Sequence, residues 1–116
     1  IVIGGNHEAS NYMLELFHGG WLAPNIYYLG AAGVVNFGGV RIAGCSGIYK
    51  SNDFTKGFFE DASCLNQSTV RSAYHTRQSQ IFQLSHLSRP MSKIQPVDIM
   101  LSHDWPTGVV RFGDKQ

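Results

Sequence analysis

The 116-residue chain has only two cysteines, Cys45 and Cys64, which are too few for a disulfide scaffold and fit a reducing compartment. It also lacks an excess of charge of either sign, because nine lysines and arginines stand against eight aspartates and glutamates. This balance excludes a strongly basic nucleic-acid-binding tail, so any RNA contact must depend on local placement of charge. No apolar run approaches the roughly 20 residues of a membrane span, and we expect no membrane partner.

The start of the chain lacks an initiator methionine, and its composition is that of a globular chain, with 43% hydrophobic and 15% charged residues. Ile1, Val2 and Ile3 form an apolar triplet that predicts a buried strand already under way. The last residues, GDKQ, are typical of a loop. We therefore expect a piece of a longer protein, in which residues 1–116 form the central part of one catalytic domain.

The hydrophobic pattern predicts an α/β fold with no internal repeat. Gly38 and Gly39 lie between two apolar runs and predict a tight hairpin. Residues 46–67 show no periodicity, and a loop of that length is more often functional than passive. The predicted elements are strands at 1–3, 26–29, 33–37, 40–43 and 97–101, a helix at 8–17, a helix from Ser68 or Thr69 to about 87, and a linker at 90–96.

The sequence GGNHE joins the first predicted strand to the first predicted helix, where ligands of α/β sheets gather. Asn6 offers an amide oxygen to a divalent cation, and His7 offers an imidazole that can donate a proton to a phosphate oxygen. Glu8 would supply an acidic first turn and orient His7. On spacing alone, a plain helix start capped by Asn6 remains the alternative, with His7 merely exposed.

The sequence SHDWP follows the last predicted strand and repeats this placement. His103 is a candidate metal ligand at the same edge as His7, and Asp104 is a candidate to orient its ring. A single histidine at a strand end is more often structural than ligating. Two such sites on two strands are more easily explained by one shared crevice.

These residues also resemble a known family. GNHE is similar to the third signature block of the calcineurin-like metallophosphoesterases. The remaining stretches resemble RNA lariat debranching enzymes in order and spacing over nearly the whole chain, namely GGWLAPNIYYLG, AGVV, GIYKSNDFTKGFFE, STVRSAYHTR, PVDIMLSHDWP and FGD. The resemblance implies that the chain forms part of a two-sheet sandwich flanked by helices.

The resemblance also implies an activity, which is hydrolysis of the 2′-5′ phosphodiester at the branch point of excised intron lariat RNA. Asn6 and His103 would ligate one of two divalent metal ions (Fe, Zn or Mn), and His7 would protonate or stabilise the leaving oxygen. A nuclear location and a role in intron turnover follow from that substrate. The sequence leaves the oligomeric state open.

A lariat-recognition-loop-like segment would span about 46–77. Aromatic rings there can stack on splayed bases, and basic side chains can pair with phosphates. Burial under the loop is the alternative for about half of the aromatic rings, and plain solvation is the alternative for the lysines. Tyr74 is at core spacing on its predicted helix. The candidate RNA-binding residues are Tyr49, Lys50, Phe54, Lys56, Phe58, Tyr74, His75 and Arg77, with Phe59 and Arg71 beside them.

The chain departs from the family pattern at two positions and in its metal motifs. Phe58 stands where the family usually has histidine, and Thr55 where it often has arginine. The first two metal blocks and the final Gly-His-x-His do not occur here, so this chain alone is expected to be inactive. Two alternatives stay open, which are a related metallophosphoesterase acting on another phosphodiester and a non-catalytic fragment that binds RNA or a partner.

Overall fold

The computed structural model describes residues 1–87 and 95–109, so most of the predicted 90–96 linker and the FGD motif lie outside the described residues. The described elements confirm a mixed α/β class. In chain order they are α1 (Ser10–Glu15), β1 (Gly20–Ala23), β2 (Ile26–Tyr28), β3 (Ala32–Phe37), β4 (Val40–Cys45), β5 (Ile48–Tyr49), α2 (Ser51–Phe54), α3 (Gln67–Ser72), β6 (His75–Thr76), α4 (Gln78–Leu87) and β7 (Ile99–Ser102).

The largest sheet among the described residues has the strand order β3-β4-β7. Strands β3 and β4 form the predicted hairpin, and both turn glycines, Gly38 and Gly39, have positive φ, as a two-residue turn requires. Strand β7 confirms the predicted last strand and pairs parallel to β4, from Ile42 opposite Ile99 to Cys45 opposite Ser102. Because the two strands end in register, the residues that follow them emerge at one edge of the sheet.

The single helix predicted from Ser68 or Thr69 to about 87 is wrong. The chain forms α3, then the short strand β6, then α4. Helix α3 is capped by Asn66, whose side chain accepts the backbone N–H groups of Ser68 and Thr69. The helix is interrupted because His75 and Thr76 pair with β5, and this tertiary pairing overrides the local helical periodicity.

The beginning of the chain also differs from expectation. The predicted strand 1–3 is reduced to one bridge between Val2 and Tyr28, and Val2 is exposed. Helix α1 begins two residues later than expected, at Ser10, and its first turn contains no acidic residue. Glu8 therefore lies before the helix, in the loop that follows the bridge.

A strand that the sequence analysis did not predict, β1, pairs antiparallel with β2 around Pro24 and Asn25. Asn25, in the turn between these two strands, has a φ of 65°. A groove of about 630 Å³ lies beside this hairpin and is lined by side chains that include Trp21, Tyr27 and Ile99. The described residues thus leave one apolar face of the sheet open.

The core lies where α4 packs on the three-stranded sheet, with Leu84 against Ala43 and Cys45. Small residues at the strand positions allow the helix to approach closely. None of the helices in the described ranges has the length and apolar character that a membrane crossing requires.

Candidate functional site

The first element of the candidate site is the contact between Gly5 and His103. The His103 ring lies so close to the Gly5 α-carbon that a β-carbon at position 5 would overlap the ring at Nε2 and Cδ2. The loop before α1 and the turn after β7 therefore meet, as their strand-end positions predict. This contact brings the neighbour of Gly5, the half-buried Asn6, to the same edge as His103.

Asp104 fixes the other side of the His103 turn. Its Oδ2 accepts the backbone N–H of Tyr49 at 2.6 Å, and its Oδ1 lies 3.6 Å from the His103 Nδ1. The Ser102 hydroxyl also donates to the Asp104 carbonyl at 3.0 Å. Asp104 thus holds β5 and the His103 turn together, and it lies near the imidazole nitrogen that it was expected to orient.

Glu8 does not lie in the first turn of a helix, where it was expected. Its carboxylate accepts the backbone N–H of Gly5 at 2.6 Å and so closes the loop around Asn6 and His7. The His7 side chain is exposed, which leaves its imidazole open to a ligand at the surface. Glu8 therefore sets the path of the backbone that carries His7.

Ser46 joins the candidate site to the central strands. Its buried hydroxyl accepts the Gly4 N–H at 3.1 Å and donates to the Gly30 carbonyl at 2.6 Å. The next residue, Gly47, has a φ of 92° and donates its N–H to the Gly4 carbonyl at 2.9 Å. A β-carbon on Gly47 would overlap the Tyr74 carbonyl oxygen, so only glycine fits this crossing.

Residues 46–77, called the recognition segment below, contain more regular structure than expected. Strands β5 and β6 pair parallel at its two ends, from Ile48 opposite His75 to Tyr49 opposite Thr76. Between them lie α2 and α3. The segment is therefore a closed unit whose ends are paired next to Gly4 and Asp104.

Arg77 occupies the centre of this unit and is fully buried. One guanidinium nitrogen donates to Glu60 at 2.5 Å and to the Ser72 carbonyl at 3.1 Å, and the other donates to the Asp53 carbonyl at 2.8 Å. The guanidinium carbon also lies 4.9 Å from the centre of the Phe58 ring and 5.6 Å from that of Phe59. We call Arg77, Phe58, Phe59 and Glu60 the Arg77 cluster.

Arg77 was expected to contact RNA, but its side chain is fully buried and leaves no surface for a phosphate. The geometry favours an internal role for this residue. Phe58 is likewise half-buried, and it packs edge-on against Phe17 with ring centres 4.7 Å apart. Both residues hold the recognition segment together in this structure.

Asp53 is the second charged centre of the segment. Its carboxylate contacts the Lys56 ammonium and the His75 Nδ1, both at 2.7 Å. The hydrogen bond from Lys56 and then that from His75 lower the Asp53 pKa to about 2 from its ordinary 3.8. Asp53 is thus held as an anion that connects α2 to β6.

The remaining candidate RNA-binding residues lie at or near the surface of the segment. Tyr49 and Lys50 are exposed, and Tyr49 contacts the half-buried Phe54 at a ring separation of 5.3 Å. Tyr74 is half-buried against His75, at 5.2 Å between ring centres. The exposed side chains Tyr49, Lys50 and Lys56 are therefore those of the expected set that a ligand could reach most directly.

The sequence analysis missed Ser46, Asp53 and Glu60 as organising residues. Each has a partner 12 to 42 residues away in sequence, for which local patterns give no signal, and only the Asp53–Lys56 pair has helical i,i+3 spacing. Burial raises the pKa of the Tyr28 phenol and of the Cys45 thiol. Cys45 is buried and Cys64 is exposed.

Within residues 1–87 and 95–109, no group of three or more His, Cys, Asp or Glu side chains could hold a metal ion. The Asn6 amide and the His103 imidazole are an oxygen donor and a nitrogen donor that suit a borderline divalent cation. The close approach of His103 to Gly5 fits such a use, because it places the ring beside the Asn6 loop. These two donors can form part of a metal site and need additional ligands to complete it.

The chain is thus an α/β protein segment with polar residues gathered at its strand ends. Over its whole length it is similar to one part of the lariat debranching enzymes. It is 56% identical over 116 residues to the lariat debranching enzyme of Gallus gallus and 54% identical over 116 residues to that of Homo sapiens. It is 53% identical over 116 residues to the lariat debranching enzyme of Arabidopsis thaliana.

All three matches cover 100% of this chain. The chain spans 20% of the length of the first two relatives and 26% of the third. No protein-family model matches the chain. The resemblance inferred from the sequence motifs is confirmed by these identities, and so is the α/β class.

Proposed function

We propose that the protein containing this chain is a divalent-metal-dependent phosphodiesterase that hydrolyses the 2′-5′ bond at the branch point of lariat RNA. The observation that carries the proposal is the similarity, along the whole of this chain, to proteins named lariat debranching enzyme, at 53–59% identity. The meeting of the Gly5 loop with His103 supports it, because it brings the expected polar groups to one edge.

The roles of the site residues follow from their chemistry. Asn6 and His103 contribute ligands to one of two divalent ions, and Fe, Zn and Mn all suit this donor set. When bound, such ions stabilise the charge that develops on attacking and leaving oxygens. The exposed His7 imidazole donates a hydrogen bond or a proton to the leaving oxygen, while Glu8 and Asp104 hold the two loops.

The recognition segment supplies the contact with branched RNA. Tyr49 offers an exposed ring for stacking, and Lys50 and Lys56 offer cations for phosphates. Because the segment is joined to the site through Gly47 and Asp104, RNA held there lies next to His103 and Asn6. The substrate places the protein in the nucleus, where excised introns arise.

The proposal is tested by incubating the full-length protein with a branched RNA and with a linear RNA of the same composition. We expect metal-dependent cleavage of the branched RNA only, at the 2′-5′ bond. A protein that binds both RNAs equally and cleaves neither is not a debranching enzyme.

Two variants then assign the roles. His7→Ala is expected to lower turnover by about a hundredfold or more with metal content retained. His103→Ala is expected to lower metal content first, and full metal with full activity in that variant would refute the ligand assignment. Glu15→Gln, on the exposed side of α1, is the control for both.

A further inference from the structure

The Arg77 cluster contains a charge pair that the chemistry of the site does not use. Arg77 and Glu60 both have side chains with no solvent exposure, and they form an ion pair at 2.5 Å. Isolated charges are rarely buried, because leaving water costs more than most contacts return unless hydrogen bonds complete the pair. Here the Ser72 hydroxyl also donates to Glu60 at 2.5 Å, and both terminal guanidinium nitrogens of Arg77 have acceptors. The buried Nε of Arg77 has no hydrogen-bond partner among the described residues.

The contacts of Arg77 connect several parts of the recognition segment. Its guanidinium bonds the Asp53 carbonyl in α2, Glu60 in the following loop and the Ser72 carbonyl at the end of α3. Its own backbone N–H donates at 2.5 Å to the side chain of Gln80, the third residue of α4. Arg77 thus joins α2, the loop of Glu60, the end of α3 and α4, and the Ser72 hydroxyl adds a direct bond between Glu60 and α3.

The three consecutive residues Phe58, Phe59 and Glu60 enclose this guanidinium. The rings lie 4.9 and 5.6 Å from its central carbon, within the range of cation–π attraction, and the carboxylate completes the enclosure. Lysine at position 77 could not make the same set of contacts, because an ammonium lacks the planar fork that reaches several acceptors at once.

We propose that Arg77 and Glu60 are positioning residues that fix the recognition segment in its substrate-binding shape and do not themselves contact RNA. The expected effect of Arg77 and Glu60 on catalysis rests on the proposed function. Their ordering of the segment does not, because it is independent of the substrate. Phe58, which stands where the family usually has histidine, packs against Arg77 in this arrangement.

The test uses the full-length protein with Arg77→Met and Arg77→Lys, and it measures amide hydrogen exchange over residues 50–60. Both variants are expected to speed exchange there by at least about tenfold while leaving strands β3 and β4 protected. The matched control is Arg71→Met, which removes an exposed arginine of the same segment and is expected to leave exchange unchanged.

Kinetics separate positioning from direct contact. For Arg77→Met, the KM for branched RNA is expected to rise by at least about tenfold. Hydrolysis of the small diester bis(p-nitrophenyl) phosphate, which cannot reach the segment, is expected to stay within about twofold of wild type. A rise in KM with unchanged exchange would mean that Arg77 touches RNA, and this would overturn the proposal.

A second variant covers the case in which Arg77→Met fails to fold. Glu60→Gln keeps an acceptor for Ser72 and Arg77 but removes the charge, and it is expected to give a smaller change in the same direction. Unchanged exchange in Glu60→Gln and Arg77→Lys would overturn the proposal. A wild-type protein that does not cleave branched RNA would refute the proposed function, whereas the exchange result would still decide the role of the cluster.

Discussion

The His103 ring rests directly on the α-carbon of Gly5, so that the two loops of the candidate site share one van der Waals surface. This contact depends on the absence of a side chain at position 5. We predict that Gly5→Ala displaces His103 and lowers metal content and turnover of the full-length protein by at least about tenfold. Metal analysis of the purified variant checks this.

Gly57→Ala is the control for Gly5→Ala, because a β-carbon at Gly57 would meet nothing within 4 Å. It is expected to retain metal and activity. Wild-type metal content in Gly5→Ala would show that the close approach of His103 has no functional consequence.

A second prediction concerns Gly47, where the backbone has a φ of 92° and a β-carbon would overlap the Tyr74 carbonyl. Gly47→Ala should lower the free energy of unfolding by about 2 kcal/mol or more, since both the backbone strain and the overlap oppose it. Urea unfolding measures this difference. A loss of under about 0.5 kcal/mol, typical of surface substitutions, would contradict the close approach of Gly47 to the Tyr74 carbonyl.

A third prediction concerns Asp53, whose pKa of about 2 lies below the ordinary 3.8. A lowered folded-state pKa contributes stability that is fully present above the ordinary pKa and is lost as the pH falls toward 2. Asp53→Asn should therefore melt below wild type near neutral pH, and the difference should narrow as the pH falls from about 5 to about 3. Melting curves at several pH values measure it.

Lys56→Met tests the cause of that shift. The hydrogen bond from Lys56 is the largest contribution to the low Asp53 pKa, ahead of that from His75. The variant should therefore move the pKa of Asp53 upward, and part of the stability should be lost at a higher pH. An identical pH dependence in wild type and in Lys56→Met would contradict this assignment.

A fourth prediction concerns the two cysteines. Burial excludes reagents from Cys45 and raises the pKa of its thiol, whereas Cys64 is exposed. Iodoacetamide at neutral pH should alkylate Cys64 at least about tenfold faster than Cys45, as read by peptide mass mapping. Denaturation should abolish the difference, and equal native rates would mean that β4 is not covered by α4.

The sequence predicted the parts of the fold that depend on local chemistry. The Gly38–Gly39 turn needs positive φ, which only glycine adopts freely. The apolar residues at every second position before Ser102 predict β7. The Gly5 loop and the His103 turn meet as expected, although residues 1–3 form only a single bridge to Tyr28 and no strand in the sheet that contains β7.

The parts that could not be predicted depend on distant partners. From the sequence Arg77 is a candidate RNA-binding cation, and its ion pair with Glu60, 17 residues earlier, leaves no local signal. The same holds for the break between α3 and α4, where pairing of His75 with Ile48 outweighs a helical pattern. Local propensity carries no information on either contact.

The parallel pairing of β7 with β4 has a consequence for the order of folding. Strand β3 can pair with β4 through a two-residue turn, whereas Ile99 must find Ile42 after the intervening chain has been synthesised. Closing so long a loop is slow, and the recognition segment lies entirely within it. We expect the hairpin to form first and the His103 turn to be added last, so that the candidate metal ligand arrives only after the surface that holds the substrate is already built.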